Sequence, residues 1–204
     1  MNIGVLASHG GTTLQAIFDA IRAGQLAVRV TIVISNNSDS GAMRRAGQAG
    51  VHTAHISGRT HPDDVLRDAA IRDLLTAHDV DLVVLAGYMK PLGTLTLSAF
   101  RNRIINTHPS LLPKFGGVGF YGLRVHQAVL AAHEVRTGAT VHLVTADYDT
   151  GPVLRQAEIS VLPGDTAESL QERVKSVEQE LLIRVIGDWS ERRTQPHEDQ
   201  QQVV

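Results

Sequence analysis

The sequence predicts an α/β domain of the Rossmann-like, doubly wound type, with a mostly parallel sheet, helices on both faces and antiparallel strands toward the C-terminus. Three observations predict it. Short apolar, β-branched runs alternate with amphipathic helical stretches along the chain. Val80 to Ala86 (VDLVVLA) reads as a near-continuous apolar run, as expected of a strand covered on both faces. Thr140 to Val144 and Val153 to Val161 alternate instead, which suits antiparallel strands nearer an edge. Parallel strands joined through helices need right-handed crossovers, and such sheets bind ligands beyond the carboxyl ends of their strands.

The elements follow in order. Strands are expected over Ile3 to Ala7, Val28 to Ser35, Thr53 to Ile56, Val80 to Ala86 and Arg103 to Asn106, then over the two alternating runs. Helices are expected over Thr13 to Arg22, Gly41 to Ala49, Pro62 to Ala77, Val125 to Ala132 and Thr166 to Ile186. The third helix opens on His-Pro-Asp-Asp, which sets acidic groups against a positive helix end. The last opens on Asp165-Thr166-Ala167-Glu168, with Asp165 as N-cap and Glu168 closing a capping box. The expected organisation is one catalytic domain over residues 1–190, followed by a polar, frayed tail over 191–204.

Composition narrows the function. The chain has 204 residues, 43% hydrophobic and 20% charged, ordinary values for a water-soluble domain with its own core. A net charge of -2 without a basic stripe argues against a nucleic-acid partner, and 4% aromatic residues argue against base-stacking platforms. With no cysteine, disulfides, zinc thiolates and a thiol nucleophile are excluded. MNIGVLASHGG does not read as a signal peptide, and no apolar run reaches the roughly 18 residues of a membrane span. A cytoplasmic location is expected.

Two segments carry chemistry. Ser8-His9-Gly10-Gly11-Thr12-Thr13 joins the first strand to the first helix. Its glycines let the backbone turn sharply, and the amides of Gly11, Thr12 and Thr13 then face outward at a positive helix end, an anion site suited to phosphate. The bland alternative is a tight turn with Thr12 or Thr13 as N-cap. The loop is neither a dinucleotide fingerprint nor a Walker A motif.

The second segment is Ile104-Ile105-Asn106-Thr107-His108-Pro109-Ser110-Leu111-Leu112-Pro113. Strand alternation puts Asn106 and His108 on one face at the carboxyl end. An amide donor beside an imidazole suits a carbonyl oxygen that becomes negative during addition. Asp149, in Asp147-Tyr148-Asp149-Thr150-Gly151-Pro152, reads either as an Asx-turn or as a carboxylate that raises the pKa of His108 and accepts a proton. His108, His126, His142 and Asp149 show no spacing that suggests a metal site.

These residues resemble the folate-dependent formyltransferases, and most specifically the glycinamide ribonucleotide formyltransferases. The resemblance runs from Met1 to about Trp189. It rests on Ser8 through Ile17, Leu85-Ala86-Gly87-Tyr88-Met89, Asn106 through Lys114 and Asp149-Thr150-Gly151-Pro152. It implies 10-formyltetrahydrofolate as co-substrate, 5′-phosphoribosylglycinamide as acceptor, no metal, small molecules as the only partners, and a monomer or homodimer. It implies that Asn106 and protonated His108 stabilise an oxyanion while Asp149 keeps His108 charged. Gly11, Thr12, Thr13, Lys175 and Glu178 fall where the family holds the ribonucleotide. Met89, Lys90, Pro91, Leu92 and the run Thr145, Ala146, Asp147, Tyr148 and Asp149 fall where it holds the pterin, with Asn106 at the junction. Arg59 or His61 falls near the folate tail.

The sequence departs from the family pattern in places. Thr13 stands where many members have Asn, Lys90 where Arg is frequent, and Ala146 where Asp is common. The Gly-rich stretch over 115–122 is longer than in the best-known bacterial form and is expected to be a mobile loop at the substrate mouth. A formyltransferase acting on methionyl-tRNA or an amino sugar nucleotide, or a formyltetrahydrofolate hydrolase, shares the Asn-x-His core. The former is expected to carry a C-terminal domain and the latter an N-terminal one.

Overall fold

In a computed structural model, which describes residues 1–194, the elements alternate as expected. They are β1 (Asn2–Leu6), α1 (Thr12–Arg22), β2 (Arg29–Ser35), α2 (Gly41–Gln48), β3 (His52–His55), α3 (Asp64–Ala77) and β4 (Leu82–Leu85), followed by α4 (Thr94–Ala99), β5 (Ile104–His108), α5 (Leu123–Ala131), β6 (Arg136–Leu143), β7 (Val153–Ser160) and α6 (Ala167–Thr194). One seven-stranded sheet has the order β3-β2-β1-β4-β5-β6-β7. Pairing is parallel from β3 through β5 and antiparallel at β5–β6 and β6–β7. The order reverses beside β1, which opens the crevice where such sheets bind ligands.

Side-chain alternation splits the core into two layers. Ile3, Val5, Leu82, Val84 and Ile105 face α1, α2, α5 and α6, where they pack with Leu14, Ile17, Ala46, Val129 and Leu182. Leu6, Val83, Leu85 and Ile104 face the other way, onto Ile71 and Leu75 of α3 and Phe100 just after α4. All four residues of β4 are buried, so the apolar run does mark a strand covered on both sides. Each such side chain contributes about 1.5–3 kcal/mol of burial.

Three features differ from expectation. Helix α4 was not anticipated: six residues rich in Thr and Ser form a weak helix by themselves. Asp68, 25 or more residues earlier on α3, stabilises it. This buried carboxylate accepts from the amides of Gly93, Leu95 and Thr96 and from the Thr96 hydroxyl. The α6 capping box is shifted by one residue. Thr166 Oγ1 accepts from the Ser169 amide at 3.2 Å and Ser169 Oγ from the Thr166 amide at 3.0 Å, while Asp165 pairs with Arg173 at 2.6 Å. Two hydroxyls three apart satisfy each other's amides, which frees Asp165 to serve as a counter-ion. Finally, α6 continues through Thr194, so the expected boundary at residue 190 falls inside the helix. The rest of the expected tail lies outside the described residues. Among the described residues no helix is long and apolar enough to cross a membrane.

Candidate active site

Strand β1 ends at Leu6, and Ala7 continues the ladder by donating to the Ile34 carbonyl. The chain then turns into α1 with Gly11 as N-cap, at φ 70° and without a side-chain cap. A Cβ on Gly11 would lie 2.5 Å from the Ala42 Cα, so this close approach to α2 requires glycine. Neither Thr12 nor Thr13 is the N-cap, and the first amides of α1 stay uncapped by any side chain.

Gly11, Thr12 and Thr13 form one end of a cavity of about 780 Å³ beyond the carboxyl ends of β1, β4 and β5. Met89, Asn106, His108, Asp149, Lys175 and Glu178 also line it. A smaller cavity of about 60 Å³ adjoins it, lined by Lys90, Pro91, Leu92, Thr145, Ala146 and Asp147. Tyr88, Asn106, Tyr148 and Asp149 belong to both walls. The residues expected for the ribonucleotide and those expected for the pterin thus line adjoining spaces, with Asn106 and Asp149 between them; Met89, from the second group, lines the larger one. Arg59 and His61 line neither cavity.

Asn106 and His108 share a face of β5, as alternation requires. The Asp149 carboxylate reaches His108 and His142 from the loop between β6 and β7. Its Oδ2 lies 3.4 Å from His108 Nδ1, and its Oδ1 lies 3.4 Å from His142 Nε2. Asp149 sits at φ 56°, the left-handed region that Asp tolerates better than most residues. The Gly117 amide donates to Oδ2 at 2.8 Å. Burial alone raises the Asp149 pKa, but the His142 hydrogen bond, the charge of His108 and the Gly117 amide outweigh it and hold the carboxyl below its ordinary value.

Opposing influences act on His108. Burial, the largest influence, lowers its pKa; Asp149 and the Phe115 carbonyl push it back up without cancelling that effect. The net shift is downward, which favours the neutral ring in the free site. Nε2 donates to the Phe115 carbonyl at 2.7 Å, and Nδ1 lies toward the Asp149 carboxylate. Phe115 holds this position at φ 55°, an unusual backbone state for an aromatic residue.

Lys175 and Glu178 both line the large cavity but do not pair with each other. Lys175 Nζ lies 3.4 Å from Glu172, and Glu178 Oε1 accepts from Thr107 Oγ1 at 3.0 Å. Glu178 is half-buried at the cavity wall, and burial raises its pKa to about 7 against the smaller opposing effects of Thr107 and Lys175.

Two residues to which sequence reasoning assigned no role in the reaction belong here. His142 stands directly opposite Asn106 across the β5–β6 ladder, and its Nε2 lies 3.1 Å from Asn106 Nδ2. The alternation of β6 marks it as inward, but only the register shows what it faces. Ser8 joins two loops of the site, donating to Asn36 Oδ1 at 2.6 Å and accepting from the Met89 amide at 2.8 Å.

The family model for formyl transferase matches residues 1–186. A chain of Escherichia coli (strain K12) named phosphoribosylglycinamide formyltransferase is 36% identical over 202 residues, 98% of this chain and 92% of the relative. The chloroplastic phosphoribosylglycinamide formyltransferase of Arabidopsis thaliana is 36% identical over 198 residues, 97% of this chain and 68% of the relative. The crystal structure of glycinamide ribonucleotide transformylase 1 from Symbiobacterium toebii superposes with a TM-score of 0.88 at 41% identity, covering 97% of this chain and 91% of that one.

Proposed function

The chain belongs to the formyl transferase family, and on that premise we propose that it moves the formyl group of 10-formyltetrahydrofolate to the amine of 5′-phosphoribosylglycinamide, in de novo purine biosynthesis in the cytoplasm. One observation carries the reading. Asn106 and Asp149 stand in the wall between two cavities, with His108 beside them, and the larger cavity ends at an uncapped helix N-terminus. A phosphate-bearing acceptor and a separate formyl donor thus have their own spaces and a shared reacting centre.

The acceptor's phosphate rests on the first amides of α1, where the helix dipole and unpaired N–H groups favour an anion. Lys175 and Glu178 face the remainder of this ligand. The folate ring occupies the side lined by Met89 to Leu92 and Thr145 to Tyr148. Holding both substrates in register supplies on the order of 7 kcal/mol in favourable cases.

The amine nitrogen then bonds to the formyl carbon, and the carbonyl π pair becomes an alkoxide. Asn106 donates to that oxygen through its amide. The new ammonium loses a proton to neutral His108 at Nδ1, where Asp149 stabilises the imidazolium that forms. Collapse breaks the bond to the folate nitrogen, which takes the proton held by His108 and leaves as tetrahydrofolate. Asp149 therefore acts as a counter-charge for a transient state, which agrees with a ring that is neutral beforehand.

The test is a spectroscopic formyl-transfer assay on purified protein with a formyl-folate and synthetic 5′-phosphoribosylglycinamide. Methionyl-tRNA, an amino sugar nucleotide and water alone serve as competing acceptors. Turnover confined to 5′-phosphoribosylglycinamide is expected. Release of formate with water alone, at a rate that the amine does not raise, identifies a hydrolase and refutes the proposal.

A further inference from the structure

Among the described residues, two buried side-chain polar atoms have no hydrogen-bond partner: His126 Nδ1 and Thr137 Oγ1. Only His126 lines the large cavity. It sits on α5 with 1% of its surface exposed, flanked by fully buried Val125 and Val129. A buried ring nitrogen with no partner costs stability, and an apolar side chain at the same place would not. A histidine that only fills space here is a poor choice beside two valines.

We propose that His126 orients the acceptor substrate, its imidazole accepting a hydrogen bond from the nucleophilic amine so that the nitrogen lone pair faces the formyl carbon. The proposal rests on the formyl-transfer reading above. His126 lies within electrostatic reach of His108, so it borders the reacting end of the cavity rather than the phosphate end. Burial, and secondarily the charge of His108, lower its pKa to about 4. The ring therefore stays neutral, with one acceptor and one donor, throughout the working pH range. A base that weak does not strip the amine of its proton. It fixes an N–H direction and leaves proton transfer to His108. Nδ1 is closed off from the cavity, so Nε2 is the ring nitrogen that meets the ligand.

The experiment compares wild type with His126→Phe, which removes the nitrogens, and His126→Gln, which returns an acceptor near Nε2. The kinetic constants are measured separately for amine and formyl donor. For His126→Phe, kcat/KM for the amine is expected to fall roughly 10- to 100-fold while the donor KM stays within about twofold. The melting temperature is expected to rise by roughly 2 to 8 °C, since an unsatisfied buried group is gone. His126→Gln is expected to recover most of the amine constant. An active wild type together with a His126→Phe enzyme whose amine constant is unchanged refutes this proposal alone. A wild type that transfers no formyl group refutes the function proposed above, and this proposal with it. If the Phe variant fails to fold, nitrogen NMR of the wild-type ring decides. A His126 resonance that moves on adding 5′-phosphoribosylglycinamide without donor supports the contact, and an unmoved resonance overturns it.

Discussion

Replacing Asp149 with Asn keeps the outline of the side chain and removes its charge. The carboxylate lies 3.4 Å from His108 Nδ1. A full ion pair at that separation, with an effective dielectric constant of about 20, is worth about 5 kcal/mol. The Asp149 side chain keeps 10% of its surface exposed, and the ring carries its full charge only late in the step, so about half of that value reaches the barrier. Roughly 2.7 kcal/mol is a 10²-fold loss of kcat. Asp149 also raises the His108 pKa against the larger lowering by burial. Without Asp149 the ring titrates lower still. Because the neutral ring is the form that accepts the proton, the acid limb of the pH–rate profile moves to lower pH while the plateau drops. Steady-state kinetics from pH 5 to 9 on both proteins measures the two effects together. Turnover within about fivefold of wild type, or an acid limb that moves upward, refutes the counter-charge argument.

Glu178 has a folded pKa raised to about 7. Since the folded state holds that proton more tightly, stability is greatest below the ordinary carboxylate range and is lost as pH rises through about 7. Glu178→Gln should flatten that decline in urea unfolding series from pH 4 to 8 and weaken acceptor binding; an unchanged pH slope contradicts the assignment. Gly11→Ala forces a methyl against the Ala42 backbone at positive φ and should lower the melting temperature. It should also abolish any thermal protection that inorganic phosphate gives the wild type, and full protection in the variant speaks against the α1 terminus as the anion site. Asp68→Ala strips three amides and a hydroxyl of their acceptor and should cost about 2–4 kcal/mol. Chemical denaturation tests this, and a loss below about 0.5 kcal/mol removes Asp68 as the basis of α4.

The legible parts were those fixed by local pattern. The apolar run ending at Ala86 and the strand leading into Asn106 gave their elements and their burial, because period and length alone decide such segments. What stayed hidden depends on distant partners. Nothing near Thr94 signals a helix, since its N-terminal amides are satisfied by Asp68 on another element. The carboxylate that raises the His108 pKa is visible as a motif, whereas the burial that lowers it is a property of the whole packed site. His126 and His142 are single histidines in ordinary helical and strand patterns. Only the cavity wall and the ladder register give them a setting.

The reversal of strand direction at β6 explains how an acid more than 40 residues downstream meets β5 at all. In a wholly parallel sheet, the loop after a strand rises above the carboxyl edge, away from the next residues on the ladder. Leu6 pairs with Leu85 and Leu85 with Asn106, so β1 and β4 end at the level of Asn106. Strand β5 runs on to His108 beyond that level, where its remaining partner is β6. Because β6 runs the other way, it descends past His108 and Asn106 and ends at Leu143, opposite Ile105. Its outgoing loop therefore starts beside the crevice floor, and a left-handed residue at position 149 turns the carboxylate back up to the imidazole. The antiparallel strand is what brings Asp149 into the crevice beside Asn106 and His108. A change that lengthens the loop between Leu143 and Asp149 should therefore cost turnover as much as removing the acid does, while leaving the parallel half of the sheet unaltered.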